Sequence, residues 1–198
     1  MNPDIQRELI PHDDTLHLIG VLDDMKATFI DAAKQWQLLD DTGRAPASPA
    51  YAELFQHAAD GQALAHDVVH MTAEFARTAY STNQAGSTVL THLAMAATMS
   101  SYAVAHFADA AEAALALPWS SERQFLENCM VGDHATARGY LRLTSESLRD
   151  AVKELDGHLD FHRSPPTSMR QGTAAPPAPA RARAESTHPV TTQPRRPR

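Results

Sequence analysis

The chain has 198 residues, a formal net charge of −7 and a single cysteine, which is the size of one ordinary domain. It is rich in alanine, has only 8 glycines and is 6% aromatic, so the composition favours helices and excludes an all-β fold. One cysteine cannot close an intramolecular disulfide or build a cysteine-bound zinc or iron–sulfur centre. We therefore expect a reducing, cytoplasmic location, and the first residues show no secretory-signal pattern.

The C-terminal part of the chain differs from the rest in charge and composition. Residues 163–198 contain seven arginines, one acidic residue and eight of the thirteen prolines, whereas the rest of the chain is strongly acidic. Such a segment has too few apolar side chains to offset the entropy lost on ordering. We therefore predict a helical domain over residues 1–162 and a disordered, basic Pro/Ala/Arg-rich tail over residues 163–198.

Helix 1 is predicted to begin at Asp13, where short acidic side chains can cap free N–H groups, and to end before Gly43. Its apolar residues repeat every seven positions in two interleaved series, which is the spacing of bundle packing. The pattern predicts that Trp36 is buried. The two series are Leu18, Met25, Ala32, Leu39 and Leu22, Phe29, Trp36.

Helix 2 is predicted to begin at Ser48-Pro49, an N-cap followed by proline in the first turn, and to run to about Ser81. Its apolar side contains small residues such as Gly61, which let a neighbouring helix approach closely. Acidic residues recur every seven positions on the other side, so we predict an exposed acidic stripe. The stripe consists of Glu53, Asp60, Asp67 and Glu74.

Helix 3 is predicted to follow Gly86 and to end at Leu117, before a proline. No charged residue lies between Arg77 and Asp109, but the many polar residues in that run argue against a membrane span and for a helix buried in a bundle. Helix 4 is predicted from Ser121 to about residue 161, with Gly132 as a place where it can kink or divide. The expected architecture is an all-α, antiparallel four-helix bundle.

The most metal-like spacing is His66, His70 and Glu74, at successive i, i+4 steps on helix 2. Two imidazoles and a carboxylate at this spacing can share a zinc or iron ion. The three positions lie away from the apolar side, however, whereas metals in bundles sit in the core among ligands from facing helices. We interpret them as a solvated face and keep the metal site as an alternative.

Helix 3 carries a continuous side of polarizable and hydrogen-bonding groups that could line a pocket for a flat organic ligand. The alternative is that these residues fill an irregular core. The candidate pocket residues are His92, Met95, Met99, Tyr102 and His106. Elsewhere, Cys129 is predicted to be a buried inert thiol, and His158 to be exposed near the end of helix 4.

Three functions are compatible with the sequence. The leading hypothesis is a non-enzymatic helical-bundle interaction or scaffold protein without a cofactor, because signatures of catalysis, phosphate binding and dinucleotide binding are missing. The others are a ligand-binding bundle that uses helix 3, and a metal-binding bundle. The excess of arginine over lysine, with the high alanine content, indicates a GC-rich bacterial genome.

We expect a protein partner or a homo-oligomer, and no membrane partner. The tail could bind nucleic acid by charge, but no aromatic residue accompanies its arginines to stack on bases, so we favour an acidic protein surface. The predicted tail contacts are Arg181, Arg183, Arg195, Arg196 and Arg198.

Overall fold

A computed structural model describes residues 10–39 and 51–163, and every regular element in these ranges is helical. The four long helices are α1 (His12–Gln35), α2 (Tyr51–Ala76), α3 (Gln84–Ala116) and α4 (Arg123–Arg163). Short 3₁₀ turns over Ala79–Thr82 and Leu117–Trp119 lie on either side of α3. The predicted all-α four-helix fold is confirmed. None of the described helices is both long and apolar enough to cross a membrane.

Successive helices run in opposite directions, because residues near the start of one helix contact residues near the end of the next. The same is true of α1 and α4, so the topology is up-down-up-down. Segments α1 and α2 meet where Trp36 contacts His57 and where Asp14 contacts Tyr80, and α2 meets α3 where Gly61 contacts Phe107 and Thr72 contacts Leu93. Helix α3 meets α4 where His106 contacts Asp133 and Tyr102 contacts Tyr140. Helix α1 meets α4 where Ala33 contacts Arg138 and Ile10 contacts His158.

The core contains part of the apolar series predicted for helix 1: Leu22, Phe29 and Ala32 are buried, whereas Leu18 and Met25 are partly buried and pack against the core. All four helices contribute fully buried side chains, including Leu22, Phe29, Val68, Leu93, Phe107, Leu141, Leu148 and Leu155. A second, smaller cluster lies where α2 begins and α3 ends, and contains Leu54, Ala111, Ala114, Leu117 and Met130.

Helix α1 ends earlier than the periodicity predicts. Trp36 leaves the helical conformation, with φ −77° and ψ 90°, so Leu39 lies outside the helix and is exposed. Arg138 of α4 donates a hydrogen bond from Nε to the carbonyl oxygen of Ala33 at 2.9 Å, which satisfies an acceptor that the helix end leaves free. Trp36 is only partly buried, which corrects the prediction that it is a core residue.

The connection between α2 and α3 also differs from the prediction. Helix α2 stops at Ala76 and not at Ser81, because Thr78 is extended and its Oγ1 donates to the carbonyl oxygen of Phe75 at 2.7 Å. Helix α3 begins before Gly86, since Asn83 Oδ1 accepts a hydrogen bond from the Gly86 N–H at 2.7 Å and caps the helix.

Helix α4 continues through Gly132 without a break. A Cβ atom at Gly132 would meet nothing within 4 Å, so no neighbour forces a bend at this glycine. The predicted helix start at Ser48-Pro49 and the tail beyond residue 163 lie outside the described residues, and both stay predictions.

Substituting alanine at two glycines is expected to change the free energy of unfolding in opposite directions. A Cβ atom at Gly86 would overlap the carbonyl oxygen of Tyr80, so Gly86→Ala is expected to lower the free energy of unfolding by about 1–3 kcal/mol. Gly132→Ala fills open space within a helix and is expected to raise it by about 0.5–1 kcal/mol. Urea titration of both variants measures the two changes in stability. A gain in stability for Gly86→Ala would contradict the close approach of Gly86 to the Tyr80 carbonyl.

Candidate functional site

A buried pair of histidines joins α2 to α4 across the bundle. His57 and His134 are 7% and 1% exposed, and Nδ1 of His57 lies 3.2 Å from Nε2 of His134, within hydrogen-bonding distance. Trp36 stacks on the His57 ring at 5.2 Å, and Phe107 meets the His134 ring edge to face at 5.2 Å. Each of the four rings contacts at least two of the others, and each comes from a different one of the four helical segments of the bundle.

Burial makes both imidazoles hard to protonate. Desolvation, together with the charges of the neighbouring His57 and Arg138, lowers the pKa of His134 to about 4. Desolvation also lowers the pKa of His57, although Glu53 and Asp60 oppose this shift. Two neutral rings sharing one hydrogen bond are suited to holding helices together, and less suited to acid–base chemistry near pH 7.

The sequence contains a signal for both members of this pair. His57 lies three residues after Leu54 and four before Gly61, so it occupies a position of the apolar side of helix 2. The alternating three-and-four spacing of the apolar side of helix 2 therefore includes His57. His134 lies three residues before the buried Ala137 and has the same spacing.

The side of the bundle between α1 and α2 is open. The backbones of α2 and α3, of α3 and α4, and of α1 and α4 pack closely, whereas those of α1 and α2 stay apart along most of their length. Side chains bridge the gap at its two ends, where Trp36 stacks on His57 and the Tyr80 hydroxyl donates to Asp14 at 2.6 Å. The hydrogen bond to Asp14 raises the pKa of Tyr80.

Two separate cavities lie between α1 and α2, one towards each end, and we call them together the α1–α2 groove. One section has a volume of about 370 Å³ and the other about 490 Å³. The first is lined by Asp14, His17, Leu18, Val21, Met71, Glu74, Phe75, Thr78 and Tyr80. The second is lined by Thr28, Asp31, Ala32, Gln35, Trp36, Asp60, Ala63 and Leu64.

The α1–α2 groove combines an apolar floor with acidic edges. Four carboxylates line it, and neither section is lined by a lysine or an arginine. Two of the carboxylates have a cationic or titratable neighbour on their own helix, Lys34 at 3.6 Å from Asp31 and His70 at 3.5 Å from Glu74. Asp60 is half-buried at this groove, which corrects the prediction that it is exposed with the rest of the acidic stripe.

The helix-3 residues predicted to line a ligand pocket occupy different environments. Met95 and Tyr102 are exposed, while His92, Met99 and His106 are partly buried. None of the five lines either section of the α1–α2 groove. The His106 ring stacks on Tyr140 of α4 at 5.6 Å, and Tyr140 contacts Tyr102 at 5.4 Å.

The metal-like set on helix 2 lies on the surface. His66, His70 and Glu74 are all exposed, and the His66 and His70 rings are 6.2 Å apart.

Two predictions about the burial of single residues need correction. Cys129 is partly buried and not fully enclosed, because it lies at the edge of the smaller core cluster. His158 is partly buried, because its Nε2 accepts a hydrogen bond from the N–H of Ile10 at 3.0 Å.

Three possible metal ligands from α3 and α4 come together without having been grouped from the sequence. His106, Asp109 and Asp133 each offer a ligand atom, and these atoms all lie within 4.8 Å of one another. Within the described residues this is the one such group of three or more. The sequence places His106 on helix 3 but does not indicate that Asp133 lies beside it, since the register between two helices cannot be predicted from either helix alone.

Comparison with known proteins adds no relative: no family model, curated protein or solved structure matches this chain.

Proposed function

We propose that the protein is a non-enzymatic helical-bundle interaction protein, and that its α1–α2 groove receives a basic amphipathic helix of a protein partner. The observation that carries the proposal is the open fourth side of the bundle, with an apolar floor between acidic edges. A helix that lays its apolar face into a groove is a common mode of peptide recognition.

The dimensions of the groove support a helical occupant. The lining residues that α1 contributes fall within two stretches, residues 14–21 and 28–36, which together span about 30 Å, the length of a partner helix of about 20 residues. Leu18, Val21 and Phe75 would meet the apolar face of that helix. Burying such surface is favourable at roughly 25 cal/mol per Å².

The charge of the groove supports a basic occupant. Asp14 and Glu74 line one section, and Asp31 and Asp60 line the other, so lysines or arginines near both ends of the partner helix would find carboxylates. Complementary charge mainly raises the association rate and selects the partner, while the apolar contacts provide most of the affinity.

The basic tail of the chain itself fits this groove less well. It offers arginines for the acidic edges, but it has no leucine, isoleucine or aromatic residue beyond residue 163 to fill the apolar floor. We propose that Arg181, Arg183, Arg195, Arg196 and Arg198 instead make charge contacts with an acidic protein surface, whose strength falls as salt rises. A cytoplasmic location is part of the same proposal, supported by the single cysteine.

The groove can be tested with designed peptides and an intrinsic reporter. The chain has two tryptophans, of which Trp119 is highly exposed and Trp36 lines the groove. In a Trp119→Phe background, a 20-residue amphipathic helix with leucines on one face and lysines on its edges is expected to change the Trp36 emission. The matched peptide with glutamates in place of lysines is expected to bind at least about tenfold more weakly.

A matched pair of variants locates the binding. Val21 lines the groove and is 37% exposed, whereas Val69 is on α2 outside the groove lining and is 48% exposed. Val21→Glu is expected to weaken binding of the basic peptide at least about tenfold, since it places a charge on the apolar floor, and Val69→Glu to leave it unchanged.

Equal effects of the two variants, equal binding of the two peptides, or no binding would each overturn the proposal. Sedimentation of the protein alone tests the other occupant. A concentration-dependent dimer that Val21→Glu disperses and Val69→Glu retains would assign the groove to a second copy of this chain and would also overturn the basic-helix proposal.

A further inference from the structure

The side of the bundle formed by α3 and α4 carries a cluster that the α1–α2 groove does not involve. His106 and Asp109 are separated by one turn of α3, and Asp133 projects from the antiparallel α4 beside them. We propose that these three side chains bind a divalent transition-metal ion such as Zn²⁺, with water completing the coordination.

The distances fit two ligands of one ion. His106 Nδ1 lies 3.0 Å from Asp133 Oδ1, at the distance of a hydrogen bond that a bound ion would replace. Ligand atoms about 2.1 Å from a metal are about 3.0–3.4 Å apart when they occupy neighbouring octahedral or tetrahedral positions. The third ligand atom, an Asp109 oxygen, lies within 4.8 Å of the ligand atoms of His106 and Asp133. Because Asp109 is exposed, a rotation of its side chain can bring this oxygen into the coordination distance.

The charges around the cluster favour a cation. Helix α3 contains no lysine or arginine, and within the described residues neither Asp109 nor Asp133 forms an ion pair with one. Asp109 and Asp133 each offer a carboxylate oxygen within 4.8 Å of the other, and a divalent ion would relieve their repulsion.

The surroundings hold the imidazole in place and leave the cluster accessible to water. The His106 ring lies nearly parallel to Tyr140, with an angle of 12° between their planes, which limits its rotation. Asp109 is exposed, and the side chains of His106 and Asp133 are each 31% exposed, so the cluster is accessible to water. One imidazole nitrogen with two carboxylate oxygens favours zinc and related ions over Mg²⁺, which prefers oxygen ligands alone.

The test is titration of the untagged full chain with Zn²⁺ by calorimetry, and with Co²⁺ by its visible absorption. One equivalent of each ion is expected to bind. Asp109→Asn and Asp133→Asn are each expected to weaken binding by roughly tenfold or more, because a neutral amide is a poorer ligand than a carboxylate. Asp109 is exposed, so Asp109→Asn tests the site even if a change at the partly buried Asp133 affects folding.

The double variant His66→Gln/His70→Gln is the matched control, because it removes the exposed histidine pair of α2 and leaves the proposed ligands intact. It is expected to retain binding and the Co²⁺ spectrum. Absence of binding, equal affinity in Asp109→Asn, loss of binding in the histidine double variant, or displacement of Zn²⁺ by an equal concentration of Mg²⁺ would overturn the proposal.

Discussion

Phe107→Ala is expected to lower the free energy of unfolding by about 3–5 kcal/mol, the largest effect of any single change considered for this bundle. Phe107 is 1% exposed and lies at the meeting point of the four helical segments, against Trp36, His57 and His134. Its ring also lies 3.4 Å from where a Cβ atom of Gly61 would be, so α2 and α3 are already close together there. The cavity left by alanine therefore has little room to collapse.

Phe125→Ala is the control for this substitution, because Phe125 is 61% exposed and its removal leaves no cavity. It is expected to change stability by no more than about 0.5 kcal/mol. Urea titration of the three proteins gives both values. Similar changes in the free energy of unfolding for Phe107→Ala and Phe125→Ala would contradict the packing of Phe107 against the buried histidines.

The second large effect is a loss of stability in mild acid. The folded chain keeps His134 neutral down to a pKa of about 4, whereas a histidine in the unfolded chain titrates near 6.5. Between these values the unfolded state binds more protons, so the free energy of unfolding falls as the pH is lowered. The expected loss between pH 7 and pH 4 is about 3 kcal/mol from this residue, since one pKa unit corresponds to about 1.4 kcal/mol.

His134→Gln separates this effect from general acid denaturation, because it removes the titrating ring while keeping a polar group that can hydrogen-bond. Its stability is expected to depend much less on pH between 6.5 and 4 than that of the unchanged protein. His66→Gln, at an exposed position, is expected to keep the full dependence. Chemical denaturation at several pH values makes the comparison, and equal slopes for His134→Gln and the unchanged chain would contradict the assignment.

Much of the fold could be predicted from the chain because it depends on periodicity. The seven-residue spacing that places Leu22 and Phe29 on one side of α1 is a property of one helix, and both residues are buried in the structure. Helix ends were less predictable. Trp36 continues the apolar series of helix 1, yet α1 ends at this residue and its ring stacks on His57 of α2. A contact with another helix cannot be predicted from the periodicity of helix 1.

The candidate sites could be predicted only in part, since each consists of residues on different helices. The sequence identified His106 as a polar group on helix 3, but its neighbour Asp133 depends on the register between α3 and α4. The acidic residue Asp60 was recognised as part of a stripe, but its position in a groove depends on the separation of α1 from α2. Both are tertiary properties that no local pattern contains.

The way in which α1 is attached has a consequence for how the bundle comes together. Helices α2, α3 and α4 are neighbours along the chain and pack in that order, so each pairing closes a short loop. Helix α1 packs mainly on α4, through residues 105 to 148 positions apart in the chain. Closing that long loop costs more conformational entropy than closing either hairpin. Helix α1 is therefore the segment whose release would leave the remaining three helices still paired with their neighbours in the chain.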